Sequence, residues 1–166
     1  TFDNAPGQVQ FDVENAAAAS GGGNGAIEVV HLTTRGLQYL GEVGNVSAVT
    51  NTTTVTITGT SLAADDCIVN NDIYFTSGDA AGEGGTITDY NGTTKVVTFT
   101  PAITAPSATD GYAIGPKVVI SGDGQGGNVR ATVNSTGGIN ATAVISGGNN
   151  YSNASITVLS NAAQSN

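Results

Sequence analysis

Apolar and polar side chains alternate with a period of two along much of this chain. Val55-Thr56-Ile57-Thr58 and Thr86-Ile87-Thr88-Asp89-Tyr90 each put every second residue on one face, the signature of a half-buried strand. Ile73-Tyr74-Phe75-Thr76 and Val96-Val97-Thr98-Phe99-Thr100 alternate less strictly but are as rich in strand formers. Clusters of small polar residues separate these runs: Ser77-Gly78-Asp79, Gly82-Glu83-Gly84-Gly85 and Asn91-Gly92. Asn91-Gly92 stands between two strand-like runs and predicts a hairpin, with these two residues supplying the positive φ angles of a tight turn. Only Asn15-Ala16-Ala17-Ala18-Ala19-Ser20 has helical character. It stops at Gly21-Gly22-Gly23 and is too short to nucleate alone, so it predicts at most a helical turn inside a loop.

Two stretches read as copies of one another. Ile27, Gly36 and Tyr39 recur at the same spacings as Ile139, Gly148 and Tyr151. Each is preceded by a strand-like run, Val9–Val13 in the first and Val129–Val133 in the second, with a longer Ala/Gly-rich linker in the first copy. Pro101, Pro106 and Pro116 punctuate the far side of the intervening block. A last series of strands follows: 118–120, 127–133, 139–146 and 154–159. The organisation read from this pattern is a partial glycine-rich β repeat over 1–43, an inserted β domain over 44–115, and a glycine-rich β repeat with a C-terminal tail over 116–166. The fold class is all-β, as small sandwich or barrel-like modules.

Composition narrows what such modules do. The 166 residues carry 10% charged side chains, 5% aromatics, and no Trp or Met. The core is therefore built from small branched side chains, and the surface from Thr, Ser, Asn and Gly. The net charge of −9 comes from 13 acidic against 4 basic residues. Lys95, Lys117, Arg35 and Arg130 are scattered singly, which argues against a nucleic-acid partner and an anionic membrane surface. No apolar run is long enough to span a bilayer as a helix, and nothing resembles a signal peptide. The start at Thr1 points to a fragment or a processed product. Cys67 is the single cysteine; with acidic neighbours in Asp65-Asp66-Cys67-Ile68-Val69, it reads as a small buried hydrophobe rather than a reactive thiol.

Candidate chemistry is sparse. Gly122-Asp123-Gly124-Gln125-Gly126-Gly127 fits the dinucleotide-binding G-x-G-x-x-G spacing, but Asn128-Val129-Arg130-Ala131-Thr132-Val133 after it reads as a strand. The phosphate-facing helix that the motif needs is missing. His31, the only histidine, sits in a strand-like run without the partners of a zinc site. Asp65, Asp66, Asp72, Asp79 and Glu83 gather in one stretch; their spacing matches no calcium loop, and they read as solvated turn carboxylates rather than a glycosidase pair. Seven N-x-S/T sequons, at Asn45, Asn51, Asn91, Asn134, Asn140, Asn150 and Asn153, follow from a composition rich in Asn, Ser and Thr. The expectation is a chain that is not an enzyme, with no catalytic, cofactor-binding or metal-binding residue and no cofactor.

Two stretches resemble modules of tailed-phage structural proteins. One runs from Ala64-Asp65-Asp66 through Asn71-Asp72-Ile73-Tyr74-Phe75-Thr76-Ser77-Gly78 to Thr86–Pro101. The other runs from Gly115-Pro116-Lys117-Val118-Val119-Ile120 to Gly148-Asn149-Asn150-Tyr151 and is similar to a glycine-rich repeat ending in Ser-Gly-Tyr. Here Asn149-Asn150 stands in place of the Ser-Gly. Together, over roughly 48–159, they look most like baseplate wedge subunits of contractile-tailed cyanobacterial phages. The resemblance implies a noncatalytic assembly role in the virion, with other virion proteins as partners in a homo- or hetero-oligomer. The alternative is a surface adhesin or glycan-binding module, on a tail fibre or extracellular on a cell surface, with Tyr74, Tyr90 and Tyr112 as the sugar-stacking platform.

Overall fold

The computed structural model describes residues 9–15, 27–35, 39–135 and 137–159, and the regular elements among them are all strands. Six strands close into a barrel: β3 (Glu42–Asn51), β4 (Thr54–Ile57), β5 (Asp72–Phe75), β6 (Gly84–Asn91), β7 (Val96–Thr100) and β8 (Gly111–Gly115). Around the barrel they run β3-β4-β7-β6-β5-β8, every neighbouring pair antiparallel. The alternation seen in sequence turns Val55, Ile57, Ile87, Val97 and Phe99 inward, and a bulge between Ile87 and Asp89 shifts the phase of β6 so that Tyr90 points in as well. Phe75 and Phe99 meet in a tilted pair with ring centroids 5.9 Å apart.

The remaining strands form three antiparallel ladders: β1 (Val9–Asn15) with β2 (Ile27–Arg35), β9 (Val118–Gly122) with β12 (Ala154–Val158), and β10 (Gln125–Val133) with β11 (Ile139–Asn149). They stand side by side in a ring, β12 next to β1, β2 next to β11 and β10 next to β9. The seams are packed rather than laddered; across one of them the Thr142 hydroxyl donates to the Val30 carbonyl at 3.2 Å. Ile27, Val30, Tyr39, Val129, Ile139 and Tyr151 share the core inside the ring. The outer face of β10 lies against β8, which explains why every residue of β8 is buried, including Ala113 on its outward phase.

The register corrects the alignment of the two copies. Read from sequence, Val9–Val13 matches Val129–Val133. In the ladders Phe11 corresponds to Val129 instead, a displacement of two residues: Phe11↔Leu32 has its counterpart in Val129↔Val144, and Glu14↔Val29 in Thr132↔Ala141. A bulge absorbs one residue on each side of this central stretch in both hairpins, at matching steps, so the displacement comes from the longer connection between the strands of the first copy and not from the bulges. Gly36 and the Ala run of 16–20 lie outside the described residues.

The Asn91-Gly92 hairpin joins β6 to β7, but its turn is not the tight two-residue kind. Asn91 pairs with Val96, so the turn takes in Gly92 to Lys95, and the positive φ of 61° falls on Lys95. The Asn91 side-chain oxygen accepts from the amides of Thr93 and Thr94 at 3.0 and 2.7 Å, which fixes the turn. Gly92 is required by proximity: a Cβ there would stand 2.2 Å from the Ala63 carbonyl oxygen.

Candidate functional site

The acidic stretch does not converge. Asp65 accepts from the Gly92 amide at 2.7 Å and Asp66 from the Tyr90 amide at 3.3 Å, so both pin the 58–71 connection onto the barrel wall. Glu83, on the surface, accepts from the amide and hydroxyl of Thr104, and these bonds hold its pKa below the usual carboxylate value. Asp72 overturns the reading of a solvated turn residue. It is 2% exposed, on a strand, and bonded to Thr86 Oγ1 at 2.8 Å and Arg130 Nη1 at 2.6 Å. Among the described residues no group of three or more His, Cys, Asp or Glu stands close enough to hold a metal ion.

The tyrosines correct a second expectation. Tyr90 and Tyr112 are 1% and 0% exposed, packed inside the barrel, so with Tyr74 they do not make an open platform for a sugar ring. Each uses its hydroxyl internally: Tyr90 donates to the Leu62 carbonyl at 2.7 Å, and Tyr112 to Glu42 Oε1 at 2.8 Å. Strict alternation from Ile87 would have turned Tyr90 outward; the bulge between Ile87 and Asp89 brings it in. Burial, and for Tyr112 then the bond to Glu42, pushes both phenols up, Tyr90 to about 12.

Glu42 is a residue that sequence reasoning passed over. It is 8% exposed, at the start of β3, with Ser61 Oγ donating to its second oxygen at 2.6 Å. Ser61, Glu42 and Tyr112 form one side-chain network in the barrel. Both carboxylate oxygens are occupied from within the chain, so its chemistry is that of a satisfied buried acceptor. No sequence signal marked it, since Glu42 follows Gly41 at the end of an unpatterned stretch.

Basic groups are also spent internally. Of the four Lys and Arg residues, Lys95, Lys117 and Arg130 have described side chains; Lys95 Nζ donates to the Leu62 carbonyl at 2.5 Å and Lys117 Nζ to Thr86 Oγ1 at 3.3 Å. Cys67 packs against the barrel core outside any disulfide, and burial raises its thiol pKa. His31 lies in β2, its backbone opposite Asp12. The G-x-G-x-x-G stretch is the turn from β9 into β10, with Asp123 taking the amides of Ser152 and Asn153 at 3.0 and 3.1 Å and the Ser152 hydroxyl.

Three sequon asparagines have turn roles. Asn51 accepts from the Thr53 amide and hydroxyl, Asn91 from Thr93 and Thr94, and Asn134 from Gly138. At Asn51 and Asn91 the i to i+2 spacing of the sequon is the spacing of an Asx turn, which gives N-x-T here a folding role. No family model, curated protein or solved structure matches the chain.

Proposed function

We propose that this chain is a noncatalytic structural component of a phage virion, of the tail or baseplate, working through contacts with other virion subunits. The observation that carries this reading is the weakly charged, hydroxyl- and amide-rich exterior of the barrel. Ser47, Asn51, Thr56, Thr98 and Thr88 lie on the outward phase of strands whose inward phase is filled by Ile, Val, Phe and Tyr. Short neutral side chains lose less on desolvation than charged ones and form hydrogen bonds across an interface. The runs that resemble tailed-phage modules fall on the strands of both bodies, β5 to β7 in the barrel and β9 to β11 in the ring. Such a role asks for a rigid shape with broad covered faces, and a barrel filled to its centre supplies the shape.

Cross-linking of intact particles tests the proposal. Lysine reagents suit this chain poorly, because Lys95 and Lys117 are bonded inward. A carboxylate-directed reagent has exposed targets in Asp79, Asp89 and Asp123. The expected result is cross-links from these residues to other virion subunits. The proposal is overturned if the chain is absent from purified particles, or is present with cross-links only to itself within one copy.

A further inference from the structure

We infer that the β1–β2 and β10–β11 hairpins are two copies of one structural unit, that they fold together as one ring drawn from both ends of the chain, and that the barrel is a self-contained cassette inserted at the end of the first copy.

Register carries the first part. All seven pairs of the β1–β2 ladder, from Val9↔Arg35 to Asn15↔Ile27, map onto pairs of the β10–β11 ladder, from Gly127↔Gly147 to Val133↔Ile139. Both bulges fall at corresponding steps, Gln10/Phe11 with Asn128/Val129 and Glu14/Asn15 with Thr132/Val133. The second strands correspond by the same offset that carries Ile27 to Ile139 and Tyr39 to Tyr151. All four of these side chains are buried in one core. Antiparallel pairing does not by itself place two bulges at matched points, since each bulge is a local choice of its own strand pair.

Packing carries the second part. A two-stranded hairpin alone is at best marginally stable, and neither copy has a core of its own. Ile27 and Tyr39 come from before the barrel, and Val129, Ile139 and Tyr151 from after it. Each half completes the other.

Chain path carries the third part. By the same offset, β12 of the second copy corresponds to Glu42–Val46, the opening half of β3. β12 pairs with β9, whereas this half of β3 pairs with β8, the last strand of the barrel. Glu42 and Ile114 are direct partners, so the barrel leaves and rejoins the ring at one place. Its core, from Val46 to Ile114, shares no buried side chain with that of the ring.

Hydrogen exchange of the full chain, read by mass spectrometry in mild denaturant, tests this. Peptides covering 9–15, 27–35, 125–133 and 139–149 are expected to open together, and peptides from 42–115 as a second unit with a different rate. Tyr151→Ala is expected to speed exchange roughly a hundredfold in both hairpins, with the barrel unchanged within about twofold; Tyr39→Ala is expected to do the same. The wild-type measurement stands even if a variant fails to fold. The inference is overturned if the two hairpins open at different rates, if ring and barrel open as one unit, or if Tyr151→Ala loosens β10–β11 while β1–β2 keeps its protection.

Discussion

Arg130 Nη1 lies 2.6 Å from Asp72 Oδ2, and this ion pair ties the ring to the barrel. The two side chains are 13% and 3% exposed, so the pair sits where water screens it little. Thr86 Oγ1 donates to the other Asp72 oxygen, and Lys117 reaches the same hydroxyl. Removing one member leaves the other charge buried without its partner. Asp72→Asn is expected to lower the unfolding free energy by about 3 kcal/mol, and Asp72→Leu with Arg130→Met to recover much of it. Urea unfolding of Asp72→Asn, of the double variant and of its two singles, Asp72→Leu and Arg130→Met, checks this; a double variant as weak as the sum of its singles would refute the pairing.

Alkali is expected to unfold the barrel through its tyrosines. Tyr90 is held up at about 12 by burial first and the charge of Glu42 second, and Tyr112 is raised by burial and its bond to Glu42. An unfolded phenol ionises near pH 10, so the unfolded chain releases protons first and rising pH favours it. The stabilisation is whole below about pH 10 and is lost as the pH climbs through the folded values. Tyrosinate absorbance and circular dichroism should change together in one late, steep transition. A broad titration around the ordinary phenol value, with the dichroism unaltered, would contradict the buried hydroxyls.

Tyr112→Phe removes one of the two described hydroxyl donors to Glu42 and leaves a buried carboxylate oxygen unsatisfied. The expected loss is about 2 kcal/mol, read by urea denaturation at neutral pH. Equal stability of the variant and the parent would show that the hydroxyl is dispensable.

Acid is expected to act at a different place. Asp123, on the surface, is lowered to about 2 by the Ser152 hydroxyl and the amides of Asn153 and Ser152. A depressed carboxylate stabilises above its unfolded value of 3.8 and loses that contribution as pH falls through about 2. The amide resonances of Ser152 and Asn153 should titrate together with a midpoint near 2. Asp123→Ala should abolish that titration; a midpoint near 4 in the parent chain would refute the cap.

Two glycines of the same hand separate backbone conformation from crowding. Gly148 has φ +65° and a Cβ there would sit 2.4 Å from the Gln125 carbonyl oxygen, whereas Gly82 has φ +84° with nothing within 4 Å. Gly82→Ala is expected to cost about 1 kcal/mol and Gly148→Ala about 3 kcal/mol or more, by thermal or urea unfolding. Equal costs would mean that the β10–β11 ladder yields at that point.

The strands were legible because their chemistry is local. Val55–Ile57, Ile73–Phe75, Ile87–Tyr90 and Val96–Thr100 alternate or concentrate strand formers, and all lie in barrel strands. The hairpin at Asn91-Gly92 was legible as a hairpin, but not its turn, since the Asn91 carboxamide binds forward to Thr93 and Thr94 and moves the positive φ to Lys95. What depended on distant partners was hidden. Asp72 resembles its acidic neighbours until Arg130 arrives from β10, and Glu42 has no pattern around it until Ser61 and Tyr112 close on it. The two copies were visible through Ile and Tyr, yet their first strands were set two residues out of step, because the connection to the second strand differs in length between the copies and the Ile and Tyr spacing does not fix what precedes it.

Glu42 and Ile114 are paired where the chain leaves the ring and returns to it. Tension applied between β1 and β12 is therefore expected to run through the ring, from one side of this junction to the other. The barrel hangs beside that route like a bead on a side loop. Stretching is expected to load the packed seams of the ring first, and to reach the barrel only once β3 begins to peel from β8.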